Sequence, residues 1–283
     1  VPELPEVETV CRGLNQLTSN QEIGGGEVLL ERTLAYPISA PAFLAEIEGT
    51  AIARWQRRGK YLLAQLVRPA ASQPAGWLGV HLRMTGQLLW VMRSQPLQKH
   101  TRVRLWLGSD RELRFVDTRT FGKMWWVPPD RPPEQIITGL QKLGPEPFST
   151  DFTPEYLAQK LRKSQRSIKS ALLDQTLVAG LGNIYADESL FKSGIRPTAI
   201  ASQLHQHQFK SLHAAILEVL QVAIEQGGTT ISDFLNPFGV NGNYGGLAWV
   251  YGRKGEPCRA CNSPIEHLKL VGRSTHFCPQ CQR

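Results

Sequence analysis

Apolar residues recur at three- and four-residue steps from Glu6 to Leu17, where Val7, Val10, Cys11, Leu14 and Leu17 share one stripe, which predicts a helix. Cys11 lies on that stripe and reads as a small core residue. From Ile23 to Pro128 the pattern shortens to strand-like runs punctuated by Gly, Pro and Ser. The runs are Glu27 to Leu30, Tyr61 to Leu66, Trp77 to Leu82, Gln87 to Met92, Arg102 to Leu107, Glu112 to Asp117 and Lys123 to Val127, a spacing that predicts a β-sandwich or barrel. Six prolines between Pro128 and Pro147 predict a linker. Beyond it helical signals dominate, with candidates over Thr153 to Leu161, Ser167 to Leu173, Asn183 to Lys192 and Gln206 to Gln226, the last with Phe209, Leu212, Ile216, Leu220 and Ile224 on one stripe that Gly227 and Gly228 end. Residues 232–252 are rich in Gly and Asn and read as a long mobile loop.

The 283 residues are 41% hydrophobic and 20% charged, within the globular range and long enough for two cores. No apolar run approaches a membrane span, and Glu3, Glu6, Glu8, Glu22 and Glu27 stand where a signal peptide would be basic and then apolar. The expectation is a cytoplasmic protein without a membrane partner. The net charge of +8 is unevenly spread: residues 1–50 hold two basic and eight acidic side chains, whereas residues 51–100 hold eight basic and no acidic ones. Such a block favours a polyanionic partner.

Four of the five cysteines form Cys258-x2-Cys261 and Cys278-x2-Cys281, sixteen residues apart. This is the spacing of a four-thiolate zinc site, which would be structural because four protein ligands leave no open position. A redox dithiol, an iron–sulfur cluster and a disulfide pair are the alternatives. So short a unit buries too little apolar surface to fold unaided, so bound metal would supply most of its folding energy.

The opening run Pro2-Glu3-Leu4-Pro5-Glu6-Val7-Glu8 crowds carboxylates at a helix start, where the helix dipole favours them. With His81-Leu82-Arg83-Met84-Thr85-Gly86, Asp117-Thr118-Arg119-Thr120-Phe121-Gly122, Gly180-Leu181-Gly182-Asn183 and the cysteine pairs in order, the chain resembles the formamidopyrimidine-DNA glycosylase family along nearly its whole length. The resemblance implies an α+β fold of two domains. These are an N-terminal catalytic β-sandwich domain flanked by helices over 1–131, a linker over 132–150, a helix-two-turn-helix domain over 151–231, a lesion-capping loop over 232–252 and a zinc finger over 253–283. It implies a monomer acting on double-stranded DNA that contains oxidised purines in the bacterial cytosol, with one structural Zn2+.

The same resemblance implies that the secondary amine of Pro2 is the nucleophile, Glu3 the general acid/base, and Lys60 and Arg273 further catalytic-site cations. An unperturbed α-amino group titrates near about 8, so part of it is neutral and reactive at physiological pH. Glu6 reads as a capping or pocket-lining residue. Met84, Arg119 and Phe121 match the side chains that fill the space left by an extruded nucleotide; without the resemblance, Met84 and Phe121 would read as core. His81, His100 and Asn183 match DNA contacts, and Asn236 to Gly252 matches the loop that closes over the lesion. Three departures stand out. Val1 precedes Pro2 and would make its nitrogen a tertiary amide; it reads as a start codon rendered literally, with the mature chain beginning at Pro2. Arg83 adds a cation beside Met84, and Ser232 stands where some members carry Lys. Three rival readings are a sibling resembling endonuclease VIII, for oxidised pyrimidines, a non-catalytic lesion binder if Val1 is retained, and a generic zinc-ribbon nucleic-acid module, which explains residues 258–281 but leaves the N-terminal motif without a purpose.

Overall fold

The computed structural model describes residues 1–229, 237–239 and 241–283. Ser232 and part of the Gly-rich loop lie outside the described residues. The chain divides into two compact units, Val1–Gln141 with Gly227–Gly242, and Lys142–Gln226 with Asn243–Arg283. Among the described residues no helix is long and apolar enough to cross a membrane.

The first unit holds α1 (Leu4–Thr18), α2 (Ala40–Ile47), the short α3 (Pro133–Ile136) and, among the described residues, nine strands: β1 (Glu22–Val28), β2 (Leu34–Tyr36), β3 (Thr50–Arg58), β4 (Tyr61–Arg68), β5 (Gln73–His81), β6 (Gly86–Met92), β7 (Thr101–Leu107), β8 (Arg111–Asp117) and β9 (Lys123–Val127). They are hydrogen-bonded in the order β2-β9-β5-β4-β3-β1-β7-β8-β6. β1 joins the two halves, pairing with β3 at Glu22 and Ile23 and with β7 from Ile23 to Val28, across a register shift between Ile23 and Gly26. At Gly26 an added Cβ would lie 2.5 Å from the Arg104 carbonyl oxygen, so only glycine allows this approach. Ile52, Leu62, Leu78 and Val80 from one half share a core with Leu88, Val103, Leu105 and Phe115 from the other, which makes one sheet serve as both layers of the sandwich. α1 contributes Val7, Val10, Cys11 and Leu14 to that core, so Cys11 is the core residue its position predicted.

β3 and α2 were not predicted. Three arginines in β3 hide its alternation, and its burial is strong only near its start. α2 is eight residues long with Pro near its start, too short to show a period.

The second unit is helical, with α4 (Pro154–Leu161), α5 (Ile168–Leu172), α6 (Asn183–Lys192) and α7 (Gln206–Glu225), followed by the hairpin β10 (Glu266–Leu270) and β11 (Arg273–Phe277). Glu188 of α6 is fully buried and accepts the backbone N–H groups of Trp249, Val250 and Tyr251 at 2.8–2.9 Å, fixing the chain that leads to the first cysteine pair. Burial pushes its carboxyl up, and these N–H donors pull it part of the way back.

Candidate active site and nucleic-acid interface

Glu3 is the extended residue before α1, and it forms a capping box with Glu6: each carboxylate accepts the other residue's backbone N–H. The bond from Glu3 N to Glu6 Oε2 is 2.8 Å. Both side chains are buried, at 3% and 2% exposure, and Pro2 is buried beside them, whereas Val1 is 58% exposed. The capping role read for Glu6 is present, together with a contact that the spacing did not reveal. Its second oxygen accepts the Thr229 N–H at 2.7 Å, tying the helix start to the segment after α7. Gly228 permits this, because at φ +81 an added Cβ would sit 2.7 Å from that oxygen.

α1 runs antiparallel to β3. Asn20 N meets the Ile52 carbonyl, Asn15 exchanges two hydrogen bonds with the Trp55 backbone, and Glu8 pairs with Arg57 at 2.9 Å. The N-terminal end of α1 therefore lies toward the β3–β4 turn, Gly59-Lys60. Arg57 braces that turn by donating to the Gly59 carbonyl at 3.0 Å, and Glu8 also holds Arg12. Burial pushes the Glu8 carboxyl up, but the bonds from Arg12 and Arg57 outweigh it and leave it below the usual range.

β4 then carries the site sideways. Tyr61 pairs with His81, and His81 with Lys123, so Lys60, the end of β5 and the start of β9 share one end of the sheet. The His81 ring meets Tyr61 edge-on at 4.5 Å, and its Nδ1 accepts the Arg83 N–H at 3.0 Å. Its remaining nitrogen, Nε2, then carries the proton of the neutral ring and is a donor suited to phosphate. Burial, with the Arg83 and Lys60 charges, lowers its pKa to about 3. The consequence for stability has a definite sign. Between about pH 6.5 and 3 the unfolded chain binds a proton that the folded chain does not, so stability falls as pH falls through that window. His81→Gln is expected to lessen this loss, by on the order of 1 kcal/mol between pH 7.5 and 5. Denaturant midpoints of both chains at the two pH values check it; parallel losses would refute the assignment.

The turn before β6 and the turn after β8 meet because Gly86 pairs with Asp117. Met84 is half-buried in the first, where Arg83 adopts φ +55. In the second, Phe121 is 50% exposed with the Arg119 guanidinium 5.1 Å over its ring. Neither is a core residue, which settles the alternative that their strand-like surroundings suggested. His100 lies just before β7, its carbonyl accepting the Asp117 N–H at 2.9 Å and its Nδ1 3.1 Å from Arg102. One end of the first unit thus gathers Lys60, His81, Met84, His100, Arg119 and Phe121.

In the second unit α6 begins at Asn183 behind Gly180-Leu181-Gly182. The Gln175 side chain cradles that turn, accepting from Gly180 N at 2.9 Å and donating to the Leu181 carbonyl at 2.7 Å. Asn183 Nδ2 donates to the Ser274 carbonyl at 3.0 Å, which places it beside exposed Arg273 at the start of β11. Behind them Lys169 is fully buried, donates to the Ser274 carbonyl at 2.7 Å, and forms an ion pair with buried Asp187 at 2.7 Å. Asp187 also accepts the His276 N–H at 2.9 Å. Lys169 and Asp187 are positioning residues that the sequence did not expose.

Cys258, Cys261, Cys278 and Cys281 bring their sulfur atoms within 4.8 Å of one another, and none is in a disulfide. A tetrahedron with metal–sulfur bonds of about 2.3 Å has sulfurs about 3.8 Å apart. Two of the pairs here are 3.9 and 3.4 Å. Backbone N–H groups of Ala260 and Cys281 point at the Cys258 and Cys278 sulfurs at 3.4 Å, supporting thiolate charge. The cluster fits one structural metal ion.

Residues 1–124 match the model of the formamidopyrimidine-DNA glycosylase N-terminal domain, residues 143–235 that of the formamidopyrimidine-DNA glycosylase H2TH domain, and residues 255–283 that of a zinc finger found in FPG and IleRS. The formamidopyrimidine-DNA glycosylase of Trichodesmium erythraeum is 63% identical, with 100% of both chains covered. The chain belongs to the formamidopyrimidine-DNA glycosylase family. Among solved structures, Lactococcus lactis Fpg in complex with DNA containing an abasic site superimposes with a TM-score of 0.90 at 37% identity, covering 99% of each chain. The wild-type Lactococcus lactis enzyme with DNA containing N7-benzyl-Fapy-dG gives a TM-score of 0.90 at 37% identity over 100% of each chain. The family's N-terminal domain model spans the end of the sheet that gathers Lys60, His81, Met84, Arg119 and Phe121, and its zinc-finger model spans the four-cysteine cluster.

Proposed function

We propose that this chain is a bifunctional DNA glycosylase and abasic-site lyase that removes oxidised purines, 8-oxoguanine and formamidopyrimidines, from duplex DNA. The observation that carries the reading is the buried N-terminal Pro2-Glu3 pair at the start of α1, with α1 laid along β3 toward the end that bears Lys60, His81, Met84, Arg119 and Phe121. The relatives solved with abasic and Fapy-dG DNA support it.

In this reading the nitrogen of Pro2, freed of Val1, attacks C1′ of the damaged nucleotide. Glu3 protonates the deoxyribose ring oxygen and assists ring opening, and the base leaves. Because the amine is secondary, the imine is an iminium cation, which acidifies the C2′ proton. Elimination of the 3′ phosphate and then the 5′ phosphate leaves a one-nucleotide gap. Lys60, His81 and His100 contact phosphate from the first unit; Asn183, Arg273 and the N–H groups at the start of α6 do so from the second. Met84 and Phe121 occupy the space of the extruded nucleotide, and Arg119 hydrogen-bonds the orphaned cytosine. The four cysteines would hold one Zn2+ that would order the hairpin carrying Arg273, with no open coordination position for chemistry. The protein acts as a monomer in the bacterial cytosol.

Duplexes with 8-oxoguanine opposite cytosine, and with an oxidised pyrimidine as control, test the reading with a chain that begins at Pro2. The expected product is a gap with phosphate on both flanking ends, formed faster from the purine duplex. Preference for the pyrimidine would move the chain to the class resembling endonuclease VIII. No cleavage of either would overturn the enzymatic reading.

A further inference from the structure

Asp117 has no role in the chemistry above, yet it is 1% exposed and stands where two site loops converge. One carboxylate oxygen accepts the Thr85 hydroxyl; the other accepts the Gly122 N–H at 2.8 Å. Thr85 in turn accepts the Arg119 N–H at 3.0 Å. The hydroxyl has one proton, and Asp117 takes it, so the lone pairs of Thr85 are left facing the Arg119 main chain. Both ends of the segment 119–122 are therefore anchored to one carboxylate, directly at Gly122 and through Thr85 at Arg119. Thr85 is also the chain neighbour of Met84. The segment has little freedom of its own: Thr120 adopts φ +58, and an added Cβ on Gly122 would lie 2.4 Å from the Phe115 ring and 3.0 Å from the Asp117 carboxylate. The Asp117 backbone completes the junction, donating to the His100 carbonyl at 2.9 Å and accepting from Arg102 Nε at 2.8 Å.

We propose that Asp117 and Thr85 are positioning residues that set Met84, Arg119 and Phe121 as one preformed unit, so that the duplex is entered by a rigid wedge and not by two independent loops. The inference rests on the void-filling role given to those three side chains. Its physical content is preorganisation: a wedge displaced by about 1 Å costs on the order of 100-fold in rate, and only where a base must leave a stacked duplex.

Thr85→Val keeps the shape and removes the hydroxyl; Thr85→Ser keeps the hydroxyl. Three readouts are compared for chains beginning at Pro2: base release from an 8-oxoguanine duplex at single turnover, cleavage of a single-stranded abasic oligonucleotide, and the thermal midpoint. The expected result for Thr85→Val is a 10- to 100-fold loss on the duplex, about as large as a wedge misplacement requires. Single-strand cleavage should stay within about twofold, because no stacked base is displaced there, and Thr85→Ser should recover the duplex rate. Asp117→Leu, compared at a temperature where it remains folded, should show the same split. Unchanged duplex activity in Thr85→Val, or equal losses on both substrates, would overturn the proposal. If the parent chain itself fails on the duplex, the enzymatic reading fails instead.

Discussion

A chain beginning at Pro2 is expected to release 8-oxoguanine and nick the strand, while the same chain with Val1 attached loses at least about 100-fold in single-turnover rate. Two effects combine. With Val1 in place the Pro2 nitrogen is an amide, whose lone pair is delocalised into the carbonyl and is not nucleophilic. The substitute amine on Val1 is displaced by up to about 3.8 Å from the reactive position. A displacement of about 1 Å already costs on the order of 100-fold. Removing Val1 disturbs little else, because its side chain is 58% exposed while Pro2, Glu3 and Leu4 behind it are buried. The capping box between Glu3 and Glu6 does not involve Val1, so α1 keeps its start. Rapid-quench nicking of the two chains, with intact masses verified, decides the point; equal rates would require another nucleophile.

Cys278→Ser is expected to have an effect of similar size by a different route. The buried cysteines Cys258 and Cys278 pack with Phe191, Val250 and Ile265 in a cluster too small to order the terminal segment. A structural four-thiolate metal supplies roughly 10–16 kcal/mol of folding free energy in isolated fingers, so loss of one ligand unravels the hairpin. Arg273 then leaves its place beside Asn183, although Lys169 and Asp187 still bind what remains of β11. Duplex affinity should fall at least about 10-fold from the loss of a charge-assisted phosphate contact. Metal content by atomic absorption should fall from one zinc per chain to near zero. Cys11→Ser should retain the zinc, since Cys11 is part of the sandwich core. A Cys278→Ser chain with full zinc and unchanged affinity would refute the structural-metal reading.

The parts of this molecule that were legible in the sequence are those whose cause is local. The stripe of α1 and the alternation of β7 follow from periodicity, and the cysteine spacing reports a cluster because two turns must each present two thiolates. β3 was illegible because Arg54, Arg57 and Arg58 interrupt its apolar pattern, and Arg57 there serves Glu8 and the Lys60 turn instead of the core. The candidate site was legible through family motifs and not through physics: Met84 and Phe121 look like core residues until the Gly86–Asp117 pairing places them in two turns that meet at one end of the sheet. Residues that hold the site were hidden for a simpler reason. Thr85 and Asp117 are 32 positions apart, and Lys169 meets Ser274 across 105, so only the fold shows their partnership.

In the proposed reaction one atom, the nitrogen of Pro2, attacks the damaged nucleotide. Borohydride reduction of a Pro2-initiated chain mixed with the 8-oxoguanine duplex, followed by proteolysis and mass spectrometry, tests it directly. A single adduct on the N-terminal peptide, carried by Pro2, is expected. An adduct on Lys60 or another lysine, or none from a chain that still releases the base, would contradict it.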